Sequence, residues 1–226
     1  MTENNNIFDT VPKKDHSNPL VILIHGFCRG AKDMQFWRKV LEKDFPCIIT
    51  PDLPTRYSSF EKCVEILTEE IYKANPEKYS SLYFAGHSMG GLMAREFLYR
   101  NKPANAEKLL CVGTPHLGSR LADIALCFPG AGKIWKPLHA LKTSARNKIT
   151  DPGIADLKIG TIVSRNNGHW PGKLFLSKDS DGLVESFSAH APDAAVSTET
   201  AAAHVTMQFD MQTALLIRKF FLEGTF

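Results

Sequence analysis

Short apolar runs alternate along this chain with segments of helical periodicity. Runs rich in β-branched and other apolar residues predict strands that are buried on both faces of a parallel sheet, at 20–24, 47–50, 81–85, 109–112 and 157–163. Apolar residues spaced three and four positions apart predict helices at 33–43, 60–73, 91–98 and 207–222. This alternation predicts an α/β protein with a mostly parallel sheet and helices on both faces.

Length and composition predict how the chain is organised. With 226 residues and 43% hydrophobic residues, the chain can bury one sizeable core. The polar, asparagine-rich stretch 1–18 is interpreted as a flexible tail, and 19–226 as a single domain. The segment 118–152 breaks the alternation with scattered apolar residues between glycines and prolines. It could form a lid or a pocket wall, or it could pack as an ordinary helix.

Charge and cysteine usage exclude several functional classes. The net charge is +3, with acidic and basic residues mixed and no basic stretch interleaved with aromatics, so nucleic acid is not expected as a partner. No apolar run could span a bilayer, nothing indicates a membrane surface, and the first residues lack the apolar core of a secretory signal. The five cysteines have no C-x-x-C spacing, which fits a reducing compartment without zinc. We therefore expect a soluble, cytoplasmic protein.

The first candidate for chemistry is the pentapeptide Gly86-His87-Ser88-Met89-Gly90. It has the form G-x-S-x-G, with a predicted strand ending before it and a predicted helix beginning after it. In this setting the serine stands on a sharp strand-to-helix turn, and the flanking glycines let strand and helix approach closely. Ser88 is therefore the candidate nucleophile.

A serine nucleophile needs a histidine as base, and on this architecture the base comes late in the chain. His204 lies in a small-residue loop just before the terminal helix, and it is the preferred base, with His190 as the alternative. His25 and His87 adjoin the serine, but we expect neighbouring backbone in the strand-end turns to fix them. His116 lies in a loop after a strand.

The acid that orients this histidine is expected between the serine and the histidine in sequence. Asp181, directly before the glycine of a turn, is preferred over Asp179. Asp193 is a reserve candidate. Asp52 also follows a strand but precedes the serine, so we interpret it as a structural turn residue.

Stabilising the oxygen of a tetrahedral intermediate requires two hydrogen-bond donors. The backbone N–H of Met89, directly after the nucleophile, is one candidate, and the N–H of Phe27, after the first strand, is the other. Arg29 follows in the same loop and is interpreted as a surface residue. The expected reaction needs no metal and no cofactor.

In combination, these motifs resemble the α/β-hydrolase superfamily, and more narrowly its small, single-domain lipase- and esterase-like members. The resemblance rests on His25-Gly26-Phe27 after the first strand, the Ser88 pentapeptide, 114–119, 181–184 and a late histidine. It implies a reduced α/β-hydrolase sheet of about six strands. It also implies Ser88, Asp181 and His204 as a catalytic triad, with Phe27 and Met89 as oxyanion donors.

The activity that this resemblance implies is that of a serine carboxyl-ester hydrolase. The substrate would be a small-molecule or lipid acyl ester, and the single residue after His25-Gly26 suggests an acyl chain of medium or greater length. Two alternatives stay open: an acyltransferase that uses the same triad, and a non-catalytic binding module on a hydrolase scaffold.

Overall fold

The computed structural model describes residues 18–146, 149–168 and 170–226. The tail predicted at 1–18 lies outside the described residues except for Asn18. Eight α-helices and six strands are present in the described part of the chain. The strands are β1 (Leu20–Ile24), β2 (Cys47–Ile49), β3 (Leu82–His87), β4 (Ala106–Val112), β5 (Lys158–Val163) and β6 (Val196–Glu199). The α-helices are α1 (Gln35–Leu41), α2 (Phe60–Lys73), α3 (Met89–Asn101), α4 (Arg120–Leu126), α5 (Ala131–Ile134), α6 (Trp170–Phe175), α7 (Ser186–Ala189) and α8 (Met211–Glu223).

The six strands form one parallel sheet in the order β2-β1-β3-β4-β5-β6. This confirms the predicted α/β class and the predicted sheet of six strands. Because the strands are parallel, their carboxyl ends meet at one edge, where the loops after β1, β3 and β4 lie side by side. The fold therefore brings together loops that are far apart in sequence.

Helices pack against both faces of the sheet. Strand β1 shows this, because it is apolar at every position and its side chains enter a core layer on each face. Leu20, Ile22 and Ile24 point into one apolar cluster together with residues of α2 and α3. Val21 and Leu23 point into a second cluster with residues of α1 and α8. The alternation of side chains along a strand thus supplies both layers of the core.

The segment 118–152 contains more regular structure than its composition predicts. Besides α4 and α5 it holds two 3₁₀ stretches, Lys136–Leu141 and Thr143–Ala145. Leu138 and Leu141 are buried, whereas Phe128, Ile134 and Trp135 are exposed. Its apolar residues thus divide between an inner and an outer surface.

The sequence did not predict the edge strand β6 or the short helices α6 and α7. In β6 the residues alternate between exposed and half-buried, so the strand has no continuous apolar run.

None of the helices in the described residues combines the length and the apolar composition needed to cross a bilayer.

Candidate active site

Ser88 occupies the turn between β3 and α3, at the carboxyl edge of the sheet. Its backbone angles are φ 54° and ψ −124°, a conformation that non-glycine residues rarely adopt. Its N–H donates to the Val112 carbonyl at 2.8 Å, which ties the turn to β4. A Cβ on Gly90 would collide with the Ile24 carbonyl of β1, so the glycine is needed for close packing.

His204 and Asp181 form a buried pair beside this turn. His204 Nδ1 lies 2.7 Å from Asp181 Oδ2, and the two side chains are 5% and 1% exposed. The N–H groups of Leu183 and Val184 donate to Asp181 Oδ1 at 3.0 and 2.7 Å. The His204 N–H donates to the Asp181 carbonyl at 2.9 Å, so backbone bonds hold both residues in place.

Gly113, directly after β4, makes room for this pair. Its φ is +56°, and a Cβ there would lie 3.3 Å from both Asp181 Oδ2 and His204 Nδ1. A side chain at this position would therefore press on the hydrogen bond between them. Sequence reasoning did not single out Gly113, although a glycine at the carboxyl end of a buried strand is a recognisable sign of close approach.

Ser88 and His204 line the same cavity, whose volume is about 250 Å³. Most of its wall is apolar and comes from α4, the 3₁₀ stretch Lys136–Leu141 and the loop that follows Asp181. The apolar wall residues are Phe27, Pro115, Leu121, Ala122, Leu138, Leu141, Leu183, Val184 and Val205. Within the described ranges no hydrogen bond joins Ser88 Oγ to His204. The cavity therefore has a polar corner at Ser88 and His204 and an otherwise mainly apolar wall.

The two predicted oxyanion donors belong to segments that adjoin Ser88. Met89 is the first residue of α3, and Phe27 follows Gly26, where a Cβ would lie only 3.0 Å from the Ser88 Cβ. The Gly26 carbonyl accepts hydrogen bonds from the Arg29 N–H and the Thr55 hydroxyl, which fix the loop. In the described part of the chain, neither the Phe27 nor the Met89 amide has a hydrogen-bond acceptor.

His87 makes a contact that sequence reasoning missed. Its Nε2 donates to the His204 carbonyl at 3.0 Å, and the two imidazole rings are 4.9 Å apart. Burial, together with the neighbouring His204, lowers the pKa of His87 well below its usual value, so His87 is neutral at physiological pH. Only its position beside Ser88 in the motif could have hinted at this link.

The remaining histidines have other environments. His25 donates from Nδ1 to the Gly26 carbonyl and accepts at Nε2 from the Leu53 N–H, as expected for a histidine held by backbone. Burial lowers its pKa. His190, the alternative base, lies 3.3 Å from the Ser197 hydroxyl at the β6 edge. His116 is buried, and neither of its ring nitrogens has a partner among the described residues.

The alternative acids form contacts away from His204. Asp179 pairs with Arg165, and Asp193 forms a two-point bond with Arg95 of α3. Asp52 accepts a hydrogen bond from the Ala31 N–H, as a turn residue would. Of the acids considered from sequence, Asp181 is the one that the structure places against His204.

Arg29 differs from the surface residue expected. Its side chain is 34% exposed, lines the cavity and lies 3.9 Å from the Asp33 carboxylate.

Among the described residues, no group of three potential ligands is arranged to hold a metal ion.

Several solved structures with the same fold are named as lipases, esterases or thioesterases. A mature lipase of Bacillus licheniformis superimposes with a TM-score of 0.67 and 18% identity, covering 95% of this chain and 94% of the lipase. A metagenomic carboxyl esterase gives 0.69 and 16% identity, covering 93% of this chain and 74% of the esterase. The RedJ thioesterase of the prodiginine biosynthetic pathway in Streptomyces coelicolor gives 0.58 and 16% identity, covering 92% and 91%.

These similarities show that the chain has the α/β-hydrolase fold, as the sequence resemblance implied. A family model described as "PGAP1-like alpha/beta domain" matches residues 28–219, and the chain belongs to this family. No curated protein sequence gives a significant match.

Proposed function

We propose that the protein is a serine carboxyl-ester hydrolase. The observation that carries the proposal is the buried His204–Asp181 pair, which opens onto the same cavity as Ser88. Because His204 Nδ1–H donates to Asp181, the other ring nitrogen, Nε2, is left free to take a proton. That arrangement is what a serine hydroxyl needs to become a nucleophile.

In the proposed mechanism, Ser88 Oγ attacks the ester carbonyl while His204 Nε2 accepts the hydroxyl proton. The Phe27 and Met89 N–H groups donate to the oxygen of the tetrahedral intermediate. The intermediate collapses to an acyl-enzyme, and His204 returns the proton to the departing alcohol. Water, activated by the same histidine, then releases the acid. Hydrogen bonds between nucleophile and base are often long before substrate binds, so the absence of a Ser88–His204 bond fits this sequence of steps.

The cavity is suited to binding the acyl chain of the substrate. Its wall is mainly apolar, so an acyl chain would bury there, and each buried methylene contributes about 0.8 kcal/mol. The relatives of known structure are named as a lipase, a carboxyl esterase and a thioesterase, which supports acyl esters or thioesters as the substrate class. We therefore propose an ester with an apolar acyl group as substrate.

A nucleophile variant tests the proposal. Ser88→Ala should lower kcat for p-nitrophenyl esters by up to about a millionfold. The matched control is Ser119→Ala, because Ser119 lines the same cavity but its hydroxyl donates to the Leu183 carbonyl at 2.9 Å. This control should keep most of the activity. A fluorophosphonate probe should label the wild type and the control but not the Ser88 variant.

The same experiment separates the alternatives. An alanine variant that hydrolyses the esters as fast as the wild type contradicts a Ser88 nucleophile. No labelling and no turnover by the wild type favour a binding module. A product that forms only when an alcohol acceptor is added indicates acyl transfer in place of hydrolysis.

A further inference from the structure

A group of large apolar side chains lies exposed on α6, at the end of α5 and directly after it, and in the turn after α4. We call this group the apolar rim, and it consists of Phe128, Ile134, Trp135, Trp170, Leu174 and Phe175. Trp170 is 70% exposed and Phe128 is 66% exposed, so these side chains are not part of the core. Single exposed apolar residues are ordinary, but a group on adjoining elements indicates a surface that binds something.

The helices that carry the apolar rim adjoin a helix of the wall of the Ser88 cavity. Helix α4 contributes Leu121 and Ala122 to the cavity wall, and it contacts both α5 and α6, which carry rim residues. Helix α6 also packs against the turn after Asp181, because a Cβ on Gly172 would lie only 2.5 Å from the Gly182 Cα. Whatever covers the rim therefore lies close to the cavity.

The segment 118–152 carries more basic than acidic residues. It contains six lysines and arginines and two acidic residues, Asp123 and Asp151, and the Asp123 carboxylate accepts hydrogen bonds from Thr143. Lys133 and Lys136 are exposed beside Trp135, and Lys173 is exposed on α6 between two rim residues. The rim is thus apolar and aromatic, with positive charge interspersed.

We propose that the apolar rim binds the surface of an anionic lipid bilayer. Tryptophan and phenylalanine side chains lie favourably at the boundary of headgroups and acyl chains, and lysines beside them attract acidic lipids. A protein partner fits less well, because lysine is depleted from the centres of protein interfaces. The proposal concerns binding and does not depend on the esterase activity proposed above.

Co-sedimentation with vesicles tests whether the apolar side chains of the rim contribute to membrane binding. The wild type should sediment with vesicles of equimolar phosphatidylcholine and phosphatidylserine. The double variant Trp170→Ser, Leu174→Ser should bind at least about tenfold more weakly, because two apolar side chains no longer enter the bilayer. The matched control is Met211→Ser, Leu215→Ser, an exposed pair with the same spacing on α8, which is 52% and 49% exposed. The control should bind like the wild type.

A second pair of variants tests whether the lysines beside the apolar rim contribute to membrane binding. The change Lys133→Gln, Lys136→Gln should weaken binding about fivefold for each lysine removed. The control Lys39→Gln, Lys43→Gln removes the same charge near α1 and should leave binding unchanged. Binding should also fall in vesicles of phosphatidylcholine alone, and it should fall in 1 M salt, where the Debye length is about 3 Å.

Three results would overturn the proposal. The first is a wild type that does not sediment with anionic vesicles. The second is equal loss in the rim variant and the α8 control, which would mean a general effect of removing apolar surface. The third is a dimer seen by light scattering that the rim variant abolishes, without any vesicle binding, which would assign the rim to self-association. The Ser88→Ala variant should bind vesicles like the wild type, so failure of the catalytic proposal is separable.

Discussion

Replacing Asp193 with alanine should leave a buried positive charge without its carboxylate. Arg95 on α3 is fully buried, and its Nη1 and Nη2 atoms lie 2.7 and 2.8 Å from the two Asp193 oxygens. The Asp193 side chain is 35% exposed, so water already reaches it. The two partners therefore differ in how well they tolerate the loss of the other.

The magnitude follows from this asymmetry. Breaking a buried pair by removing one partner costs about 3–5 kcal/mol, and we take about 3 kcal/mol for Asp193→Ala because the pair is partly solvated. Arg95→Met should cost about 1 kcal/mol, since methionine fills the space and the remaining carboxylate is hydrated. For a chain of 226 residues the unfolding entropy is about 0.5 kcal/mol/K, so the aspartate variant should lose about 6 °C in Tm.

Thermal and urea unfolding of the two single variants and the double variant measure this prediction. The double variant should be about as stable as Arg95→Met alone, because the unpaired guanidinium is then absent. Glu96→Ala is the control on the same helix, since its bond to Arg100 lies at the surface and should contribute less than about 1 kcal/mol. The reasoning is refuted if Asp193→Ala is no less stable than Arg95→Met, or if the two losses simply add.

Two further predictions concern the edge of the sheet. Gly113→Ala should lower kcat at least about tenfold, because the added Cβ would press on the His204–Asp181 hydrogen bond. The control is Gly130→Ala, which is also at positive φ but has open space around it and should leave kcat unchanged. Equal kcat in both variants would contradict this prediction. Burial holds the pKa of His116 well below 6.5, so the stability that its neutral form contributes is present above pH 6.5 and is lost as the pH falls. His116→Leu should therefore flatten the fall of unfolding free energy as the pH drops below 6.5, by at most about 1.4 kcal/mol per pH unit. Urea titration at several pH values measures this, and parallel curves for variant and wild type would count against it.

Much of the fold was predictable because its strands are buried. Strand β1 matches the predicted run 20–24 because it is a continuous apolar run, and α2 matches the predicted helix 60–73 because its apolar residues have helical spacing. Strand β6 was missed because an edge strand with alternating exposure has no apolar run. The buried strands and the amphipathic helices were thus predictable, and the edge strand was not.

The positions of the candidate site residues were predictable where a motif or chain order marks them. The pentapeptide around Ser88 indicated a tight turn, and chain order indicated Asp181 and His204, which the structure places together. Arg95 could not be recognised as a buried ion-pair partner, because an arginine in a helix ordinarily lies at the surface. Its burial depends on Asp193, almost a hundred residues further on, and local patterns carry no such information.

The strained backbone of Ser88 suggests a stable variant of the protein that lacks the candidate nucleophile. Holding a residue with a Cβ at φ 54° and ψ −124° costs about 1–3 kcal/mol, whereas glycine adopts such angles without strain. A Ser88→Gly chain should therefore be at least as stable as the natural one, despite lacking the hydroxyl. Because that chain would also gain space beside Gly26, it is a suitable form for capturing an intact ester in the cavity. The residue with the strained backbone is thus the one whose replacement would allow a bound ester to be identified.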